Sequence, residues 1–151
     1  MSFQRTRGFT LVELVVSITI VAVAVVGVLG ALTANASQGA NRMIRQQATS
    51  IASAYLEEIS QKSFADPGGG TGETARAAFD DVSDYNGLAD VGACDQLGNA
   101  IPGLSSYRVN VTVGAGTLTG VPAADVRLIV VTVRHSSGVR VAMSGYRTRY
   151  P

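Results

Sequence analysis

Between Arg5 and Leu32 the chain reads RTRGFTLVELVVSITIVAVAVVGVLGAL, two basic residues and a glycine followed by an apolar run that one charge, Glu13, interrupts. No other stretch limits the fold as severely. At about 1.5 Å per residue, a helix over 9–32 is roughly 36 Å long, enough to cross the ~30 Å hydrocarbon core of a bilayer with some tilt. A core helix of a soluble domain rarely needs that length. A carboxylate inside a spanning helix costs about 2.5–3.5 kcal/mol at the centre and less near an end, so Glu13 is expected to meet a cation. Arg5 and Arg7 have no acid beside them, which holds residues 1–8 in the cytoplasm and sends the carboxyl end outward, to the periplasm of a bacterium.

The segment Gly8-Phe9-Thr10-Leu11-Val12-Glu13-Leu14 resembles the cleavage and methylation signature of type IV prepilins and of the pseudopilins of type II secretion. That resemblance implies a prepilin peptidase cutting after Gly8, N-methylation of Phe9, and retention of the apolar helix in the mature chain. It also implies assembly with other pilin subunits by machinery in the inner membrane, and export of the subunit into an extracellular fibre. In similar pilins the corresponding glutamate meets the amino terminus of a neighbouring subunit. Here that pair is Glu13 and the Phe9 amine, which would cancel two charges in apolar surroundings and set the axial register. The alternative role for Glu13 is to snorkel to the headgroups.

A secretory signal peptide is the rival reading of the same stretch, since Ala34-Asn35-Ala36 offers an A-x-A-like cleavage site that would start the mature chain at Ser37. The apolar run is longer than the 7–15 residues usual for such a signal and carries Glu13 inside it, and both features favour the retained helix.

The 151 residues suggest one domain, and setting the membrane helix aside leaves chain for one small core. Once Arg5 and Arg7 leave with the leader, ten basic residues face eleven acidic ones. That balance does not suggest a nucleic-acid partner. From Thr33 to Ser63 there is no proline and one glycine, Gly39. Ile44, Ala48, Ile51, Ala52, Tyr55, Leu56 and Ile59 recur at spacings of three and four and form one apolar stripe, so the helix is expected to continue and to lie against a globular head. Gly27 and Gly30 lie in the membrane half, where each either loosens the helix or faces a close helix contact.

From Phe64 to Ser106 the composition shifts to Pro67-Gly68-Gly69-Gly70, scattered glycines and acids, which breaks the helix and gives a long connection. The run from Phe79 to Leu88, FDDVSDYNGL, is similar to a segment of minor pilins of the mannose-sensitive haemagglutinin (MSHA) pilus system, the MshD-like group. Asp80, Asp81, Asp84 and Asn86 offer hard oxygens close together and are weak calcium candidates. Their spacing fails the EF-hand template, so a solvated acidic loop with a turn at Asn86-Gly87 is the expectation, and no metal is assigned. Cys94 is the single cysteine, so the chain departs from the loop-closing disulfide of many pilins; an idle thiol or an intermolecular bond remains for it.

The last third reads as antiparallel strands. Tyr107, Val109, Val111 and Val113 alternate with polar residues and should cover the helix stripe. Residues 125–134 are apolar on both faces in their middle, as in a more buried strand. Ser136-Ser137-Gly138 turns the chain into a further strand over 139–146, and the basic, aromatic tail from Arg147 to Tyr150 is expected to be exposed or to end an edge strand. His135, the single histidine, falls at the hairpin turn. No nucleophile motif, Walker loop, dinucleotide fingerprint or zinc set accompanies it, so neither an enzyme nor a cofactor is expected. The expected fold is α+β and pilin-like. A long helix is transmembrane over 9–32 and amphipathic over 33–63, a variable loop covers 64–106, and a three- or four-stranded antiparallel sheet over 107–151 packs on the helix.

Overall fold

In a computed structural model, which describes residues 10–69 and 73–149, the apolar run and the amphipathic stripe form one helix, α1 (Leu11–Ser60). Thr10 starts it: its Oγ1 accepts the Glu13 N–H at 3.2 Å and its carbonyl accepts the Leu14 N–H, the N-terminal half of a T-x-x-E capping pattern. The hydroxyls along the apolar stretch turn back onto their own helix. Ser17 Oγ donates to the Glu13 carbonyl at 2.7 Å, Thr19 Oγ1 to Val16 at 2.8 Å, and Thr33 Oγ1 to Leu29 at 2.7 Å. No hydroxyl in these three turns is left to seek water, as a lipid environment requires.

The chain divides into two units, Met1–Ala40 and Asn41–Pro151. In the first, residues Leu11–Thr33 make a 23-residue stretch long and apolar enough to cross a membrane, and none of it is buried by the described residues. Leu11 and Val23 are 80% and 75% exposed. The helix runs unbroken through Gly27 and Gly30, and at both positions a Cβ would meet open space.

The second unit is an α+β head. Its sheet is a meander of four antiparallel strands in the order β1 (Ala89–Val91), β2 (Tyr107–Ala115), β3 (Val126–His135) and β4 (Arg140–Thr148). On the helix side, Ala48, Ile51, Ala52, Tyr55 and Ile59 pack into one core with Tyr107, Val109, Val111, Ile129, Val131 and Val133, and Ile44, Leu56, Val113, Val141 and Met143 border it. The period of two and the spacing of three and four thus meet as the sequence predicts, because each element has one apolar face and the two faces bury one another. Leu56 lies against Gly145, where an added Cβ would stand 3.2 Å from Leu56 Cδ1. This is a small residue allowing close approach of helix and strand. In β3 the burial changes phase: Val126 is fully buried on the opposite side from Ile129, Val131 and Val133. Its cover is the Gly116 backbone, where an added Cβ would come within 2.8 Å of Val126 Cγ1.

The stretch over 64–106 is more than a connection. It supplies the edge strand β1, two 3-10 turns at Arg76–Ala78 and Ser83–Tyr85, and the buried side chains Phe64, Phe79, Val82, Tyr85 and Ala93. Phe79 and Tyr85 meet edge to face at 5.0 Å, and Ser63 pairs with the 80–82 backbone where α1 ends. A three-residue strand containing an aspartate carries no readable alternation, so composition alone points to a loop. Asn86-Gly87 does turn the chain: Gly87 has φ +86°, and Asn86 Oδ1 accepts the Val113 N–H at 3.0 Å, tying the turn to β2.

Ile59 is fully buried at the centre of this packing. Ile59→Ala is expected to cost the head about 2–5 kcal/mol, the usual range for emptying such a site. Thermal and denaturant unfolding of the detergent-solubilised chain, followed by near-ultraviolet circular dichroism, would measure it, and a loss below 1 kcal/mol would contradict the packing described.

Candidate functional site

Glu13 stands in the first turn of α1. Its side chain is exposed, and it sits inside the apolar Leu11–Thr33 stretch, whose remaining residues are uncharged. The helix N-terminus favours a carboxylate there through its dipole, yet among the described residues the carboxylate has no basic partner within its own chain. Gly8 and Phe9, the expected cleavage and methylation positions, lie outside the described residues, as do Arg5 and Arg7.

In the head, the chemistry is concentrated in a buried polar group. Glu58, on the core side of α1, and Asp90, on β1, hold Arg76 between them: Arg76 Nη2 donates to Glu58 Oε2 at 2.9 Å and Nη1 to Asp90 Oδ2 at 2.5 Å. Tyr85 Oη donates to Glu58 Oε1 at 2.8 Å and Tyr55 Oη to Asp90 Oδ2 at 2.6 Å, and Tyr55 in turn accepts the Cys94 N–H at 2.8 Å. The guanidinium lies 4.4 Å from the centre of the Tyr55 ring, adding a cation–π contact in a desolvated setting. Burial, the largest single influence, works against the Arg76 charge, but the hydrogen bonds and charges of Glu58 and Tyr55 together outweigh it and hold the guanidinium above its ordinary value. Burial, and then the bond to Asp90, push the Tyr55 hydroxyl up to about 12, so it stays a donor at any physiological pH. Burial and Glu58 raise Tyr85 as well.

This arrangement is a clamp. It joins the end of α1, the Arg76–Ala78 turn, the Ser83–Tyr85 turn and β1 through charge-assisted bonds. No nucleophile is paired with a base in it, and the nearby Cys94 thiol is raised, by burial first and then by Asp90, which disfavours the reactive thiolate. Sequence reading passed over Glu58, Arg76 and Asp90, although one signal was present: Glu58 follows Tyr55 by three and adjoins Ile59, which puts a charge on the apolar stripe.

The acidic residues singled out above do gather. Asp66 joins Asp80 and Asp81, with carboxylate oxygens within 4.8 Å of one another, but several of these oxygens already cap backbone. Asp84 Oδ2 accepts the Asp80 and Asp81 N–H groups at 3.0 and 3.1 Å, Asp81 Oδ1 accepts the Ser83 N–H, and Asp66 Oδ1 accepts those of Gly68 and Gly69 at 2.6 and 2.8 Å. These are side-chain turns that stabilise the loop. Lost hydration, then the charges of Asp66, Asp84 and Asp81, raise the Asp80 carboxyl above its ordinary value. His135 ends β3, its ring tilted at 56° against Tyr107 with centroids 4.7 Å apart, and its Nδ1 accepts the Ser137 N–H at 3.0 Å. That contact leaves the proton of the neutral ring on Nε2. The tail continues β4 through Thr148, and Arg149 then reaches Asp125 at 3.4 Å on the surface.

Two outcomes follow. Arg76→Met leaves Glu58 and Asp90 with buried, unpaired charge and is expected to cost about 3–5 kcal/mol, read by urea unfolding at pH 7. Asp80 binds its proton more tightly folded than unfolded, so its charge opposes folding at neutral pH and that opposition fades as pH falls through its raised value. Asp80→Asn is therefore expected to raise Tm at pH 7 and to change it little at pH 3; an equal gain at both values would contradict the clustering.

Residues 3–29 match a family model described as the prokaryotic N-terminal methylation motif. No curated protein and no solved structure matches the chain. The matched segment takes in the beginning of α1 and most of the Leu11–Thr33 stretch, which fits membrane anchoring. Such a motif implies processing by a prepilin peptidase and assembly with other pilins, and points to a structural subunit and away from an enzyme. Together, the methylation motif, the uncovered apolar helix and the α+β pilin-like head support a type IV pilin-like prepilin.

Proposed function

We propose that this chain is a minor pilin subunit of a type IV pilus of the MSHA-like kind, held in the bacterial inner membrane with its head in the periplasm until it is drawn into an extracellular fibre. The observation that carries the reading is Glu13: a lone carboxylate in an apolar helix that none of the described residues covers, set five residues after the glycine of a methylation motif. In this reading the prepilin peptidase cuts after Gly8, Phe9 is N-methylated, and the Phe9 amine of one subunit neutralises Glu13 of its neighbour. Because lipid tails are as apolar as the helix surface, burial alone provides little drive for association in the membrane. Close packing and this one charge pair then select the arrangement, since the pair is satisfied at one axial offset. The similarity of residues 79–88 to MshD-like minor pilins supports the pilus over the secretion piston.

The mature chain is expected to begin with N-methylated Phe9 by mass spectrometry, and Glu13→Ala is expected to be cleaved and membrane-held yet to enter fibres about tenfold less often. Normal entry would remove Glu13 from assembly, and a mature chain starting at Ser37 would replace the reading with a secreted domain. Immunolabelling of sheared surface fibres that finds no subunit, with the chain retained in the envelope, would favour a type II secretion pseudopilin.

A further inference from the structure

The outer face of the sheet, turned away from α1, carries a row of like charges. Arg108 pairs in register with Arg134, and Arg134 with Arg140, so three exposed arginines stand side by side on adjacent strands at about 5 Å spacing. Among the described residues, none of the three side chains has a hydrogen bond or an ion pair. The next row on that face is Asn110, Thr132 and Ala142, which supplies no counter-charge. Like charges placed directly opposite one another destabilise a sheet, so the row costs the isolated head stability and returns nothing within it.

The opposite charge lies at the other end of the same head. Asp66, Asp80 and Asp81 cluster where α1 ends, and Glu73 and Asp84 act on the same group. Two chain markers separate the ends. Tyr107, beside the arginine row, bonds to Gln47 at 2.6 Å near the beginning of the head's helix, whereas Arg147, at the far end of β4, donates to the Lys62 carbonyl at 3.2 Å. Arg127 and Arg134 are seven residues apart on β3, about 23 Å along the strand, so the two charged groups of one head cannot neutralise each other. The cations beside the carboxylates are already engaged. Lys62 Nζ donates to the Phe79 carbonyl at 2.6 Å, Arg127 and Arg149 each lie 5.0 Å from the Phe64 ring centre, and Arg149 also pairs with Asp125.

We infer that the Arg108–Arg134–Arg140 row is a docking surface for the Asp66–Asp80 end of a second copy of this chain. The two patches differ and sit at opposite ends, so the contact is heterologous: each head offers one patch to the copy ahead and the other to the copy behind, the arrangement that builds open filaments. Guanidinium forks suit this carboxylate pairing better than lysine ammonium groups would. The inference rests on the assembly reading above and adds to it a contact between heads, distinct from the Phe9–Glu13 pair between helices.

Charge exchange tests it in the full chain, solubilised in non-ionic detergent and labelled in two colours for energy transfer. One variant carries Arg108→Glu, Arg134→Glu and Arg140→Glu, the other Asp80→Lys and Glu73→Lys, and a Tm no lower than that of the wild type certifies each fold. Wild-type association is expected to fall with added salt, and each variant alone to associate about tenfold more weakly, the joint effect of a few exposed ion pairs. Mixing the two variants is expected to restore association, because the reversed row of one then faces the reversed loop of the other. Salt-insensitive wild-type association, undiminished association of either variant, or failure of the mixture to recover would each overturn the contact. So would row-dependent binding of a DNA oligonucleotide in place of self-association, which would assign the arginines to a different partner. N-terminal mass spectrometry of the same preparations keeps the two readings separate: a chain starting at Phe9 that fails charge exchange loses the head contact alone, while one starting at Ser37 loses the anchor and leaves the head measurement standing.

Discussion

A helix surface of valine, leucine and isoleucine that none of the described residues covers calls for cover from elsewhere. Along Leu11–Thr33 the protein buries none of the surface, and every hydroxyl bond described there returns to the helix backbone. Water is a poor solvent for such a rod, so lipid or other apolar helices are the environments in which it is stable. The single carboxylate acquires its meaning from that constraint. In water Glu13 would be an unremarked surface charge, but in an apolar medium it becomes the one group whose energy depends on which neighbour is present.

The head answers a different problem, that of keeping a small core in one arrangement. Its apolar layer is only as deep as one helix face against one sheet face, and much of the rest of the chain is the long stretch between them. The Glu58–Arg76–Asp90 clamp, with Tyr55 and Tyr85, fastens that stretch to both layers. Buried ion pairs add little net stability compared with apolar residues of the same volume. Their effect is directional, since a shifted loop would leave three charges unpaired, so the clamp penalises alternative placements more than it deepens the native one. Arg76 Nε, buried without a hydrogen-bond partner, marks the cost of placing a five-donor group there.

The charges on the surface contrast with those inside. Within the core Arg76 meets Glu58 and Asp90 at hydrogen-bond distance, while outside it the head keeps three arginines at one end and, at the other, a carboxylate group whose exposed member is Asp80. A monomer selected only for stability would interleave them. Their separation has a physical rationale when the head is one unit in a row of heads, where the counter-charge comes from a neighbour.

The residues alone determined the features that depend on short-range pattern. A long uninterrupted apolar run forces a membrane-length helix, the spacing of Ile44 through Ile59 marks the face that packs, and the alternation from Tyr107 to Val113 marks the face it packs against, because those periods are properties of the backbone itself. The Ser136-Ser137-Gly138 hairpin and the Asn86-Gly87 turn were legible for the same reason, with Gly138 and Gly87 both at positive φ. What only the tertiary structure decided are the relations between residues far apart in the chain. The pairing of Arg76 with Glu58 and Asp90, the addition of Ala89–Val91 to the sheet, and the register that aligns Arg108, Arg134 and Arg140 bring together groups 14 or more residues apart, apart from the hairpin pair Arg134 and Arg140. No local period encodes such meetings; they follow from where the packed helix and sheet leave each loop to close, and from which buried charges can find a partner once it has.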